Sequence, residues 1–142
     1  MVKPKKQLFK NLRIGQEIVK GYLVNEKELD SFVKLSGDFN KLHSKREFAQ
    51  KKGFKDIVIH GAFVIAKISS ILGMEFPGED CILIGMNIKF AKPIYLNEKF
   101  FVKLKIKKLS SSVSMIIFDL KVTSNEGIKY YGEISVLNKQ SS

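Results

Sequence analysis

The sequence predicts an α+β fold in which an antiparallel sheet packs against one mostly enclosed helix. Three observations predict it. The apolar spacing is mostly helical up to Leu72 and mostly period-two after Cys81. Residues 61–72 spread Phe63, Ile65, Ala66, Ile68 and Leu72 around most of a helical wheel, with Lys67 and Ser69-Ser70 as the polar breaks. Further on, Phe100, Val102, Leu104 and Ile106 alternate with Phe101, Lys103, Lys105 and Lys107, the pattern of a half-buried strand. A helix apolar on nearly every side must be covered, and a sheet with one apolar face supplies the cover.

The individual elements follow from their end signals. Residues 16–23 read as a first strand, since Ile18, Tyr22 and Leu23 supply apolar β-formers after Gly15. Asn25 then offers an N-cap, and Glu28 completes a capping-box pattern for a helix carrying Leu29, Phe32, Val33 and Leu35. Gly37 is placed to end it, because glycine accepts the left-handed backbone that closes a helix. A second capping-box pattern, Ser44 with Glu47, predicts a short helix that Gly53 closes. The enclosed helix is stopped by Gly73 and by Pro77-Gly78. Three or four strands follow, at residues 82–90, 99–109, 113–124 and 129–137, with Asn125-Glu126-Gly127 as the hairpin turn between the last two.

At 142 residues the chain has the length of a single domain, with its core expected over about residues 8–138 and frayed polar tails at residues 1–6 and 139–142. Apolar residues make up 44% and charged residues 27%, too apolar a balance for a disordered chain. The longest apolar stretch, residues 57–74, is interrupted by His60 and Lys67, so no membrane span is expected. The basic N-terminus leads into no apolar signal region, and the single Cys81 excludes an intrachain disulfide. Both point to the cytoplasm. A net charge of +11, from 25 Lys and Arg against 14 Asp and Glu, attracts polyanions: nucleic acid, the phosphates of coenzyme A or an acidic carrier protein. Lysine that keeps a surface soluble explains the same excess.

Chemistry concentrates in two segments. The loop Ser36-Gly37-Asp38-Phe39-Asn40-Lys41-Leu42-His43 gathers an acid, an amide and an imidazole directly after a helix stop, so Asp38 and His43 can face one water if the loop folds back. A carboxylate and an imidazole with separated pKa values can donate one proton while accepting another, and adding water to a double bond needs both acts. In Ile57-Val58-Ile59-His60-Gly61-Ala62 the chain passes from an extended stretch into the start of the enclosed helix. Backbone N–H groups there lack internal partners and sit at the positive end of the helix dipole, suited to a carbonyl oxygen that gains negative charge. Gly61, without a side chain, lets a ligand come close.

These segments, with Leu83-Ile84-Gly85, Phe90-Ala91-Lys92-Pro93-Ile94 and Asn97-Glu98, resemble the MaoC-like or R-specific enoyl-CoA hydratase family of hot-dog folds over residues 12–137. The resemblance implies a long central helix wrapped by a curved antiparallel sheet, usually as a homodimer whose sheets join edge to edge. It implies that Asp38 and His43 activate the water, that Asn40 shapes the loop, and that a backbone N–H near Gly61 binds the thioester oxygen. Asn40, His60, Gly61 and Ala62 are accordingly the expected substrate-binding positions, with His60 itself expected to pack or hydrogen-bond beside the helix start. Two departures stand out: Lys41 replaces a proline common in the family, and Ala66 replaces a serine found in some members.

The expected function is therefore R-specific hydration of 2-enoyl thioesters, or the reverse dehydration of 3-hydroxyacyl thioesters, on coenzyme A or a carrier protein. Alternatives are a hot-dog acyl-CoA thioesterase and a non-catalytic acyl-CoA or nucleic-acid binding module. Nucleic acid ranks last, because the lysines are not interleaved with stacking aromatics. No cofactor is expected. Cys81, His43 and His60 lack metal-ligand spacing, and Cys81 reads as a small buried residue with no adjacent base. Lys89, Lys92, Lys103, Lys105 and Lys107 read as a solvated sheet face, and some of Phe39, Phe48, Phe54 and Phe63 as the lining of an acyl channel.

Overall fold

Strand β1 (Glu17–Leu23) is followed by helix α1 (Glu26–Ser36), the short helix α2 (Arg46–Lys51), the central helix α3 (Gly61–Met74), and strands β2 (Cys81–Phe90), β3 (Lys99–Ser110), β4 (Met115–Ser124) and β5 (Gly127–Asn138). The computed structural model describes residues 1–140. The strands form one antiparallel sheet in the order β1-β3-β4-β5-β2.

The period-two reading of β3 holds: Phe100, Val102, Leu104 and Ile106 are buried, and their outward neighbours carry the charge. Lys103 there meets Glu17 of the adjoining β1 at 3.8 Å, and Lys107 reaches across β4 to Glu133 of β5 at 2.8 Å, as on a solvated face. The buried side chains of β3, β4 and β5 join Val64, Ile68, Ile71 and Leu72 of α3 in one apolar cluster, so the sheet covers one face of the helix. The expected enclosure is corrected on the other face, where Ala62, Ala66, Ser69 and Ser70 are exposed. Three ladders skip one residue each, at Ile84, Lys107 and Lys129, and such bulges bend a sheet.

The bulge at Lys129 has a local effect. Because Val122 pairs with Tyr130 and Thr123 with Ile128, Lys129 is unpaired and both it and Tyr130 turn inward. The Lys129 ammonium is fully buried and donates to the Pro93 carbonyl at 2.8 Å and to Glu126 at 2.9 Å, with Glu98 3.2 Å away. A buried charge needs this degree of compensation. The ammonium thereby fixes the loop between β2 and β3. That loop in turn holds the strand-like stretch before α3: Ile59 N–H donates to the Ile94 carbonyl at 2.8 Å, and Leu96 N–H to the Ile57 carbonyl at 3.0 Å.

Several sequence expectations are corrected. Ser44 and Glu47 form no capping box. Lys41–His43 make a 3₁₀ turn whose end falls on Ser44, so α2 starts two residues later without a side-chain cap. Gly73 does not stop α3, which runs on through Met74. Strand β4 starts at Met115 because residues 111–114 turn, with Ser114 at a φ of 52°. Strand β5 starts at Gly127, whose φ of 99° suits a glycine and leaves Asn125-Glu126 as the hairpin tip. The N-terminal tail is pinned at Lys5 and Lys6: Lys5 N–H donates to the Met74 carbonyl at 2.8 Å, and Lys6 bridges to Gly78. At the other end Lys139 N–H donates to the Asp80 carbonyl at 3.1 Å, and of the expected C-terminal tail Ser141 and Ser142 lie outside the described residues.

Candidate active site

Helix α1 aims the loop. The capping box forms, with Asn25 accepting from Glu28 N–H at 2.9 Å and Glu28 accepting from Asn25 N–H at 3.2 Å. Gly37 closes the other end at a φ of 74°, its N–H donating to the Val33 carbonyl. The chain then folds back through two short turns, each built on a side-chain oxygen. Asp38 Oδ1 accepts from Asn40 N–H at 3.1 Å, and Asn40 Oδ1 accepts from Leu42 N–H at 2.9 Å. The Lys41 carbonyl accepts from Lys45 N–H at 2.8 Å, so this turn closes without the proline that the family resemblance led us to expect there.

These turns leave Asp38 Oδ2 free to face two imidazoles. It lies 3.9 Å from His43 Nε2 and 3.6 Å from His60 Nε2. His43 Nδ1 contacts the Val58 carbonyl at 2.6 Å; a carbonyl can only accept, so Nδ1 donates and the ring is held with Nε2 towards Asp38. The His43 and His60 rings stack, with centroids 3.6 Å apart and planes 22° from parallel. Burial and the neighbouring His43 pull the His60 pKa below the ordinary histidine value. Nitrogen and carboxylate ligand atoms of Asp38, His43 and His60 all lie within 4.8 Å of one another. A single ion cannot lie in the planes of two rings stacked face to face, so this trio does not fit a shared metal.

A cavity of about 590 Å³ opens beside His43 and is bordered by Phe54, Gly61, Ala62, Phe90 and Tyr130. Gly61 and Ala62, the first residues of α3, both border the cavity, and no side chain caps that helix start. What comes close to Gly61 in the structure is the Phe90 ring: a β-carbon there would lie 2.7 Å from it. Of the phenylalanines considered for a channel, Phe54 borders this cavity, Phe63 is buried in the core and Phe39 is on the surface, 68% exposed.

The structure thus brings Asp38, His43, His60, Gly61 and Ala62 together. Asn40 and His60 lie off the cavity and take the structural roles also expected of them: the Asn40 side chain accepts from Leu42 N–H and shapes the loop, and His60, 3% exposed, packs behind His43 beside the start of α3. Ala66 borders a separate groove with Phe32, Phe63 and Ser70. Cys81 is half-buried, and burial pushes its thiol up to about 11, away from nucleophilic use. Sequence reasoning missed the histidine stack, the Val58 carbonyl, Phe90 and Lys129. The one available signal for the stack was that the chain's two histidines fall in the two chemistry-bearing segments.

A five-stranded antiparallel sheet over one central helix, with Asp38 and His43 on the segment leading into that helix, defines a hot-dog fold with an acid–imidazole cluster. Residues 10–126 match the MaoC like domain, and the chain belongs to that family. It is 24% identical to the (R)-specific enoyl-CoA hydratase of Aeromonas caviae, over 82% of this chain and 87% of that protein. It is 25% identical to the enzyme of the same name from Rhodospirillum rubrum, over 91% and 90%. A 3-hydroxyacyl-[acyl-carrier-protein] dehydratase from Arabidopsis thaliana is 22% identical over 80% and 76%. The solved (R)-hydratase of A. caviae superposes with a TM-score of 0.86 at 24% identity, covering 92% of this chain and 99% of that one.

Proposed function

We propose that this chain adds water across the 2,3-double bond of an enoyl thioester, or removes it from the 3-hydroxyacyl thioester, giving R stereochemistry at C3. The observation that carries this is the approach of Asp38 Oδ2 to His43 Nε2, 3.9 Å apart, with His43 bordering a cavity that a helix start also borders. That gap is too long for a direct hydrogen bond, and a water can bridge it. In the hydration direction the water oxygen bonds to C3 as one of its protons passes to the pair, and C2 receives a proton from the same pair. The thioester oxygen, negative as charge moves towards it, docks on the N–H of Gly61. The names of the relatives support coenzyme A or a carrier protein as the handle of the substrate, and a role in fatty acid metabolism. A free Cys81 thiol and, among the described residues, no helix long and apolar enough to cross a membrane fit our placement in the cytoplasm.

The functional unit is a homodimer joined through β2. This edge strand leaves Ile82, Leu83, Ile84 and Phe90 exposed by 44% to 53%, a liability that pairing with a second copy removes. Light scattering should return twice the monomer mass of 16.2 kDa; a monomer at working concentration refutes the pairing.

The reaction is tested with short and medium enoyl-CoA and enoyl-carrier substrates by loss of conjugated absorbance. Asp38→Asn and His43→Gln should each lower kcat by about 10²–10⁴-fold with unchanged circular dichroism. Full turnover in either variant removes this mechanism. Free thiol released with the double bond intact replaces hydration by thioester hydrolysis.

A further inference from the structure

His60 is polar, buried and unused by the reaction as written above. We infer that His60 is a positioning residue, holding the Asp38 main chain through its ring N–H and backing the His43 ring face to face, and so setting the gap in which water is activated. The inference rests on the hydration reading for its consequence, but its geometry stands apart from it.

His60 immediately precedes α3, yet its side chain makes no capping bond to that helix. Its Nε2 instead meets the Asp38 carbonyl at 3.3 Å, a partner 22 residues earlier in the chain. The carbonyl can only accept, so Nε2 carries the proton. Nδ1 is then a bare acceptor, and it is buried with no hydrogen-bond partner. A phenylalanine would fill the same space without stranding a nitrogen, so the useful part of this ring is the N–H aimed at Asp38. The ring is clamped from both sides: the Phe32 ring of α1 meets it edge-on at 4.9 Å, and the His43 ring lies flat on it at 3.6 Å. His43 in turn is tied through Nδ1 to the Val58 carbonyl, two residues before His60. Asp38, His43 and the start of α3 are therefore referenced to one ring. The titratable groups acting on His60 are His43 and Asp38, while α1 meets it with the apolar Phe32. Burial and the neighbouring His43 both disfavour the charged form of His60.

Two variants separate the parts of this role. His60→Phe keeps the stack and removes the N–H; His60→Gln keeps an N–H donor and removes the ring. Loss of the N–H should lower kcat about 10- to 100-fold while KM stays within about twofold, since positioning of the proton-transfer pair is lost but the cavity is not. His60→Gln should recover part of that loss. Wild-type kcat in His60→Phe overturns the inference, and so does a loss in both variants that merely follows their melting temperatures. A second reading needs no turnover. With two histidines in the chain, imidazole 15N spectra contain two rings. The His60 ring should show protonation at Nε2 alone and no charging across about pH 6 to 8. An Nδ1–H tautomer or charging within that range overturns the inference. A wild-type protein inactive on every enoyl thioester defeats the hydration reading instead, and is told apart because the spectra still report the tautomer.

Discussion

The sheet with α3 and the segment at residues 37–60 are held by opposite means. In the first, long runs of side chains on β3, β4, β5 and α3 are fully enclosed, and apolar area removed from water does the holding. In the second only Ala49, Val58, Ile59 and His60 are buried, and the chain keeps its course through turns closed by Asp38, Asn40 and the Val58 carbonyl. Apolar burial is shared among many neighbours and tolerates small shifts. A turn closed by one oxygen does not. The site thus sits where a single polar atom decides geometry, carried by a body in which no single polar atom does.

That contrast can be broken at either end. The largest effect on stability belongs to Phe118→Ala, which empties a fully buried ring position 5.4 Å from the Phe76 ring. It should cost about 3–5 kcal/mol, read as a lower denaturant midpoint, with turnover per folded molecule retained. A midpoint within error of wild type would mean that the body is not where stability resides. Asn40→Ala probes the other region. Losing the oxygen that accepts from Leu42 N–H should cost about 1 kcal/mol or less of stability but lower kcat about tenfold, because Asp38 and His43 flank that turn. Equal fractional effects on folding and turnover would erase the distinction drawn between the two regions.

The body was largely legible in the sequence because its signals are periodic: the alternation in β3 and the Asn25/Glu28 capping box survive in the structure, and the apolar run of α3 forms one helix, though with one face exposed. Where one-residue details decide, the reading failed. Ser44 looks like a cap until the preceding 3₁₀ turn absorbs it, and Lys129 looks like a surface lysine until a bulge turns it inward. In the site, Asp38 and His43 were legible from their spacing and family likeness. The His43–His60 stack and the Phe90 ring over Gly61 were not, because both come from parts of the chain that only the tertiary fold brings together.

The ammonium of Lys129 ties two pieces to one point: the hairpin tip through Glu126, and the loop between β2 and β3 through Glu98 and through Pro93, which borders the cavity. Anything that pulls on the β4–β5 tip is transmitted to the wall of the pocket without crossing the central helix. Lys55, paired to the same Glu126 at 2.7 Å, extends this linkage to the stretch just ahead of His60. The β4–β5 tip and the wall of the cavity are accordingly one mechanical unit.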